Sequence, residues 1–229
     1  MTVLTRKAPG LTGNQLKLIA LAAMTIDHIG VQFFPQSAIL RIIGRLALPI
    51  FAYMIAQGCR YTKNKHRYLA TIAGVALGCQ TVYFFAMGSL YQCILVTFSL
   101  SIALIFALDA AIKKPSFMRI SAALLTFLSV WFISDMLPRF LPGFYVDYGF
   151  FGILLPVLIW LGRDKWQSIV LCGIGLVLLS IGNSVQWFSL LTLPLLALYN
   201  GSRGQAKLKY LFYIYYPAHL ALIYLISLI

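Results

Sequence analysis

Nine apolar runs occupy almost the whole chain between residues 16 and 228, and each is separated from the next by a short polar gap. They lie near 16–34, 39–58, 68–87, 91–112, 117–137, 146–162, 166–182, 185–199 and 209–228. A helix needs about 20 apolar residues to cross the hydrocarbon core of a bilayer. The runs are continuous rather than alternating, which excludes an outer-membrane barrel. A soluble domain is near half apolar and a quarter charged; this chain is 61% hydrophobic and 10% charged. The expected fold is therefore all-α: a polytopic transmembrane helix bundle of about nine spans, forming a single integral-membrane domain over 1–229.

The net charge of +13 is not a nucleic-acid signal, because the basic residues fall in the gaps between apolar runs. Arg6 and Lys7 precede the first run. Arg60, Lys63, Lys65 and Arg67 follow the second; Lys113, Lys114 and Arg119 the fourth; Arg163 and Lys165 the sixth; and Arg203, Lys207 and Lys209 the eighth. The gaps after runs one, three and seven hold no Lys or Arg, and the gap after run five holds only Arg139. Every second connection is basic, so the positive-inside rule puts the N-terminus in the cytoplasm and the C-terminus outside. The stretch "MTVLTRKAPGLTGNQ" lacks the apolar core of a cleavable signal. Residues 1–14 are expected to be a short cytoplasmic segment, with the first span directing insertion into a bacterial inner membrane. The four cysteines show no metal-ligand spacing and read as small buried apolar residues.

Charged groups that stay within a bilayer cost about 2.5–3.5 kcal/mol each on insertion scales, and they mark sites. The first run, "LKLIALAAMTIDHIG", holds three: Lys17, Asp27 and His28. Eleven residues separate Lys17 from His28. The two are therefore about 20° apart around a helix and about 16 Å apart along its axis. Asp27 projects about 100° from His28, so it is expected to pair with another helix. Arg41 and Arg45 share a face at the start of the second run. Arg41 can snorkel to the interface; Arg45 is deeper and is expected to pair with Asp27 across the hairpin. His219 sits mid-run just after Pro217, which removes a backbone bond and kinks the helix. His66 lies in a basic loop and reads as solvated. In "VDYGFFG", Asp147 and Tyr148 stand at the outer mouth of the sixth run, as an interfacial pair or as a substrate contact. Asp109 and Asp164 lie beside basic loops as charge partners.

Histidines, a buried acid and arginines held in one bundle suit acyl transfer. An imidazole can deprotonate an acceptor, and cations can hold an anionic donor or a developing oxyanion. A proton-coupled transporter uses the same residue types, and at this level both readings stand. A non-enzymatic envelope scaffold would leave the intramembrane charges without a role.

The blocks "KLIALAAMTIDHIG", "GRLALPIFAYMIAQG", "DYGFFGILL", "LYNGSRG" and "KYLFYIYYPAHL" occur in an order that resembles the TraX family, named for a conjugative-plasmid protein linked to N-terminal acetylation of pilin. The Lys17-x10-His28 spacing also resembles the (R/K)-x10-H motif of membrane acyltransferase family 3, and Arg41 and Arg45 resemble that family's paired arginines. What these resemblances imply is an integral-membrane acyltransferase that uses acetyl-CoA or a similar acyl-CoA, without a metal. They imply His28 as general base, His219 as a second proton-handling group and Asp27 as an orienting acid. Lys17, Arg41 and Arg45 become candidates for donor binding or oxyanion stabilisation, with Tyr148 as a further substrate contact. The acceptor they imply is an envelope molecule: a protein amine such as the N-terminus of pilin, a glycan hydroxyl, or another envelope group. Coenzyme A is cytoplasmic whereas His28 lies toward the outer half, so the acyl group must travel through the bundle or the site must lie lower.

Overall fold

A computed structural model describes residues 9–206 and 208–227. Arg6, Lys7 and Lys207, which enter the loop-charge pattern, lie outside the described residues, as do residues 1–8 of the expected N-terminal segment. The described chain is helical apart from two two-residue strands, and it divides into two compact units: 1–51 with 188–229, and 52–187. Nine apolar helical segments follow the nine sequence runs in order. Five of them, Gly13–Phe33, Ala38–Tyr61, Lys65–Phe85, Ile94–Lys113 and Phe117–Phe140, are long and apolar enough to cross a membrane. Gly149–Leu161, Lys165–Ser180, Ser184–Ala197 and Ile214–Ile226 are shorter. A 13-residue helix such as Gly149–Leu161 rises about 20 Å, against about 30 Å of hydrocarbon. The expectation of nine full spans therefore narrows to five helices of spanning length.

The first unit begins with α1 (Gly13–Phe33). Thr12 and Gln15 form a capping box at its start, and the Gly13 and Asn14 N–H groups donate to the carbonyls of Ser202 and Arg203 at 2.8 and 3.0 Å. Asn14 Nδ2 donates to the Ala206 carbonyl at 2.7 Å. The "LYNGSRG" loop thus satisfies the donors that any helix N-terminus leaves open. Leu11 also bridges Tyr199 in strand fashion.

A tight turn leads from α1 into α2 (Ala38–Gly44) and then α3 (Ala47–Tyr61). Gly30 permits the hairpin to close, since a Cβ there would lie 2.8 Å from Leu40 Cβ. Pro49 explains the break between α2 and α3. It has no N–H for the Arg45 carbonyl and is tolerated in the first turn of the helix that follows. The elbow leaves Arg45 buried at the end of α2.

In the same unit, α10 (Thr192–Ala197) precedes the loop, and α11 (Lys209–Ile226) runs beside α1. Lys17 meets Phe212, Thr25 meets Tyr215 and His28 meets His219. The contacts ascend together, so α1 and α11 are parallel.

The second unit is organised around α5 (Ile94–Lys113), which packs on α4 (Lys65–Met87), α6 (Phe117–Trp131) and α8 (Gly149–Leu161). α8 in turn forms a hairpin with α9 (Lys165–Ser180). Ile102, Leu104 and Ile105 of α5 and Ile153, Leu155 and Ile159 of α8 are fully buried, and Ser101 Oγ donates to the Ile153 carbonyl at 2.8 Å. α6 continues through a π-helical turn over Phe132–Met136 into α7 (Leu137–Phe140). The π turn falls just before Pro138, which cannot donate to the Ser134 carbonyl. The segment "PRFLPGFYVD" that follows carries strand β2 (Tyr145–Val146), which pairs in parallel with β1 (Tyr91–Gln92).

Removing the Asn14 amide should loosen the clasp on α1. Asn14→Ala is expected to lower stability by about 1–2 kcal/mol, read as a drop in the thermal midpoint of the detergent-solubilised protein. An unchanged midpoint would show that the clasp contributes nothing.

Candidate functional site

Within the first unit, α1 and α11 bring two histidines into direct contact. His28 Nδ1 and His219 Nε2 are 3.0 Å apart, and the ring centroids are 5.0 Å apart. The other nitrogen of His219, Nδ1, is 2.8 Å from the Tyr215 carbonyl oxygen. A carbonyl only accepts, so His219 Nδ1 carries the proton. In a neutral imidazole the second nitrogen is then an acceptor, and His219 Nε2 must receive its hydrogen bond from His28 Nδ1–H. That leaves the lone pair of His28 on Nε2. The tautomers of both rings are therefore set by one backbone oxygen, and the chain of donors ends in a basic nitrogen on α1.

The rings are held on several sides. Tyr215 stacks on His219 with centroids 5.2 Å apart and an interplanar angle of 15°, and Tyr216 meets the same ring edge-on at 5.6 Å. His219 is buried, and His28 is partly buried.

Asp27 faces α2 rather than its neighbour His28. Arg45 Nη2 donates to both carboxylate oxygens at 2.9 and 3.0 Å, and Arg41 Nη1 to Oδ1 at 2.9 Å. Arg45 Nε also reaches the Arg41 carbonyl at 3.3 Å. Gly44 makes room for this: a Cβ there would sit 2.1 Å from Asp27 Oδ1. One carboxylate against two guanidinium groups leaves one net positive charge on the α1–α2 hairpin. Arg45 is almost closed off, whereas the Arg41 side chain remains about one third exposed. Arg41 therefore takes part in the ion pair instead of only snorkelling, and Asp27 orients arginines rather than the histidine. Lys17 lies near the other end of α1, with Nζ 5.1 Å from the Phe212 ring centroid.

Tyr148 belongs to the second unit. It precedes α8 in the left-handed region with φ 59°, unusual for a bulky residue, and Gly149 follows at φ 57°. Its neighbour Asp147 accepts from the Tyr91 phenol at 2.5 Å. Burial, followed by the Asp147 carboxylate, pushes that phenol's pKa up. Asp109 pairs with Lys65 and Lys113, as expected of a charge partner, whereas Asp164 caps α9. Among the described residues, no three His, Cys, Asp or Glu side chains gather in a way that could hold a metal ion.

Sequence reasoning singled out His28 and His219 but not Thr25, Tyr215 or Phe212. The signal for two of these was present in the helical spacing: Thr25 is three residues from His28, and Tyr215 four from His219, so each shares a face with its histidine.

Breaking the hairpin ion pair tests its weight. Asp27→Asn strands the buried Arg45 charge and is expected to destabilise by about 3–5 kcal/mol. Arg41→Ala should cost under about 1 kcal/mol because that side chain reaches solvent. Equal losses in thermal unfolding of the two variants would contradict this division of roles.

The model of the family described as TraX protein matches residues 12–227. An uncharacterized protein of Rickettsia prowazekii is 31% identical over 189 residues, covering 79% of this chain and 66% of that protein's length. A protein of Dichelobacter nodosus named probable fimbrial assembly protein FimC, serogroup H1, is 25% identical over 236 residues, covering 91% of this chain and 93% of its own length. No solved structure matches the chain.

Proposed function

Because the chain belongs to the TraX family, we propose that it is a membrane-embedded acyltransferase moving an acetyl group from acetyl-CoA to an envelope acceptor, with His28 as general base. The observation that carries this reading is the hydrogen-bond chain Tyr215 carbonyl–His219–His28, which leaves His28 Nε2 as a directed lone pair. An imidazole so held takes a proton without first changing tautomer.

The acceptor amine or hydroxyl attacks the thioester carbonyl carbon while its proton passes to His28 Nε2. The tetrahedral intermediate collapses, the C–S bond breaks, and the proton on His28 goes to the departing thiolate. His219 receives the Nδ1–H hydrogen bond of His28 throughout and holds that ring while it is an imidazolium. The excess positive charge of the Arg41–Asp27–Arg45 group supports binding of an anionic donor or stabilisation of the oxyanion. Lys17, about three turns below His28 on α1, suits the cytoplasmic approach of the donor. On this reading the parallel α1 and α11 belong to a multi-pass protein of the bacterial inner membrane with its N-terminus cytoplasmic. An odd number of crossings then separates the two ends of the chain.

The Dichelobacter relative's name favours a fimbrial or pilin-type subunit as acceptor, with its free N-terminal amine as the group acylated. A glycan hydroxyl would use the same base.

Purified full-length protein in lipid nanodiscs should bind radiolabelled acetyl-CoA and release CoA. His28→Ala should lower turnover by about 10²–10⁴-fold while the protein stays folded and still binds the donor. His219→Ala should lower kcat less, with little change in KM. A folded wild type that neither binds nor cleaves acetyl-CoA would overturn the proposal, and substrate flux dependent on Asp27 would point instead to a proton-coupled transporter.

A further inference from the structure

Tyr215 touches the histidine pair in more ways than any neighbour described above. Its carbonyl fixes the His219 proton, and its ring stacks on the His219 imidazole. Its phenol oxygen lies 2.7 Å from Thr25 Oγ1. The Thr25 hydroxyl already donates to the Leu21 carbonyl at 2.9 Å. A hydroxyl has one proton to give, so the phenol is the donor in the Tyr215–Thr25 bond. Thr25 and His28 share one face of α1, and Tyr215 and His219 share one face of α11. The helices are thus joined by two hydrogen-bonded rungs one turn apart, and the lower rung holds the ring against which the upper one rests.

We propose that Tyr215, anchored by Thr25, is the positioning residue of the His219–His28 pair. This rests on the acyl-transfer reading of that pair and adds the group that keeps it in register. Stacking alone lets a ring slide and turn. The bond to Thr25 fixes the phenol along α1 and so fixes the plane on which His219 lies. If His219 turns off the Tyr215 carbonyl, its neutral ring is free to protonate Nε2 instead. His28 then meets a donor where it had an acceptor, shifts its own proton to Nε2, and loses the base.

The test uses full-length protein in nanodiscs, labelled with ¹⁵N-histidine, with His66→Gln removing the loop signal. Tyr215→Phe keeps the ring and removes only the hydroxyl. The wild type should show a single Nδ1–H tautomer at both remaining histidines, and Tyr215→Phe a mixture of tautomers. CoA release should fall about ten- to a hundredfold in kcat with KM for acetyl-CoA unchanged. Thr25→Val, which cuts the same bond from its other end, should behave alike and carries the test if Tyr215→Phe does not fold. Thr25→Ser should restore the wild-type spectrum, and the double variant Tyr215→Phe/Thr25→Val should be no worse than either single one. Unchanged imidazole signals in both single variants, or losses that simply multiply, would overturn the proposal. The spectra need no acyl donor. Altered tautomers in a protein that never cleaves acetyl-CoA would count against acyl transfer alone, and unaltered tautomers in an active enzyme against the positioning role alone.

Discussion

A ring nitrogen facing a carbonyl oxygen has to donate, and in this protein that constraint propagates. The Tyr215 carbonyl fixes the proton of His219, His219 fixes that of His28, and the direction of the whole chain follows from one backbone atom. The surrounding parts of the first unit serve this alignment. The loop over Leu198–Arg203 ties down the start of α1, the Thr25–Tyr215 rung sets the height of α11, and Tyr216 closes the edge of the His219 ring. In a low-dielectric interior such bonds are strengthened and misalignment is costly, because an unpaired polar group has no water to turn to.

The second constraint is charge. A carboxylate and two guanidinium groups can coexist near a bilayer only if they meet closely, and the glycine at position 44 is what allows it. The pairing consumes Asp27, which separates the cationic group from the histidine chain although Asp27 and His28 are adjacent in sequence. Adjacent residues on a helix point about 100° apart, so one short segment serves two neighbours: α2 through Asp27 and α11 through His28. Under the proposed acyl transfer, that division would supply a base on the α11 side of α1 and one net positive charge on the α2 side.

Much of this was legible in the sequence. The apolar runs mark the helices in order because burial of a backbone in lipid demands helix. The short first hairpin makes the Asp27–Arg45 pair foreseeable, since both residues fall in the same half of adjacent helices. The lengths were harder to read. An apolar run can begin before its helix does: the sixth starts in β2 and passes through the left-handed Tyr148, so only Gly149–Leu161 is helical. The break after Gly44 is written in Pro49, but the span reading treated run two as one helix. His219 is foreseeable as a neighbour of His28 from another helix, but the ring-to-ring contact is not, because 191 positions separate them and no local pattern sets which face of α11 meets α1. For Arg41, snorkelling and ion pairing begin from the same position at a helix end, and only the placement of Asp27 decides between them.

His28 presents an unprotonated Nε2 because His219 accepts from its Nδ1. The most direct measurement is the ¹⁵N spectrum of histidine-labelled wild-type protein near neutral pH, with the His28 signals identified by their loss in His28→Ala. A bare Nε2 and a protonated, hydrogen-bonded Nδ1 at His28 are the expected result. A His28 ring protonated at Nε2, or one exchanging freely between tautomers, would contradict it.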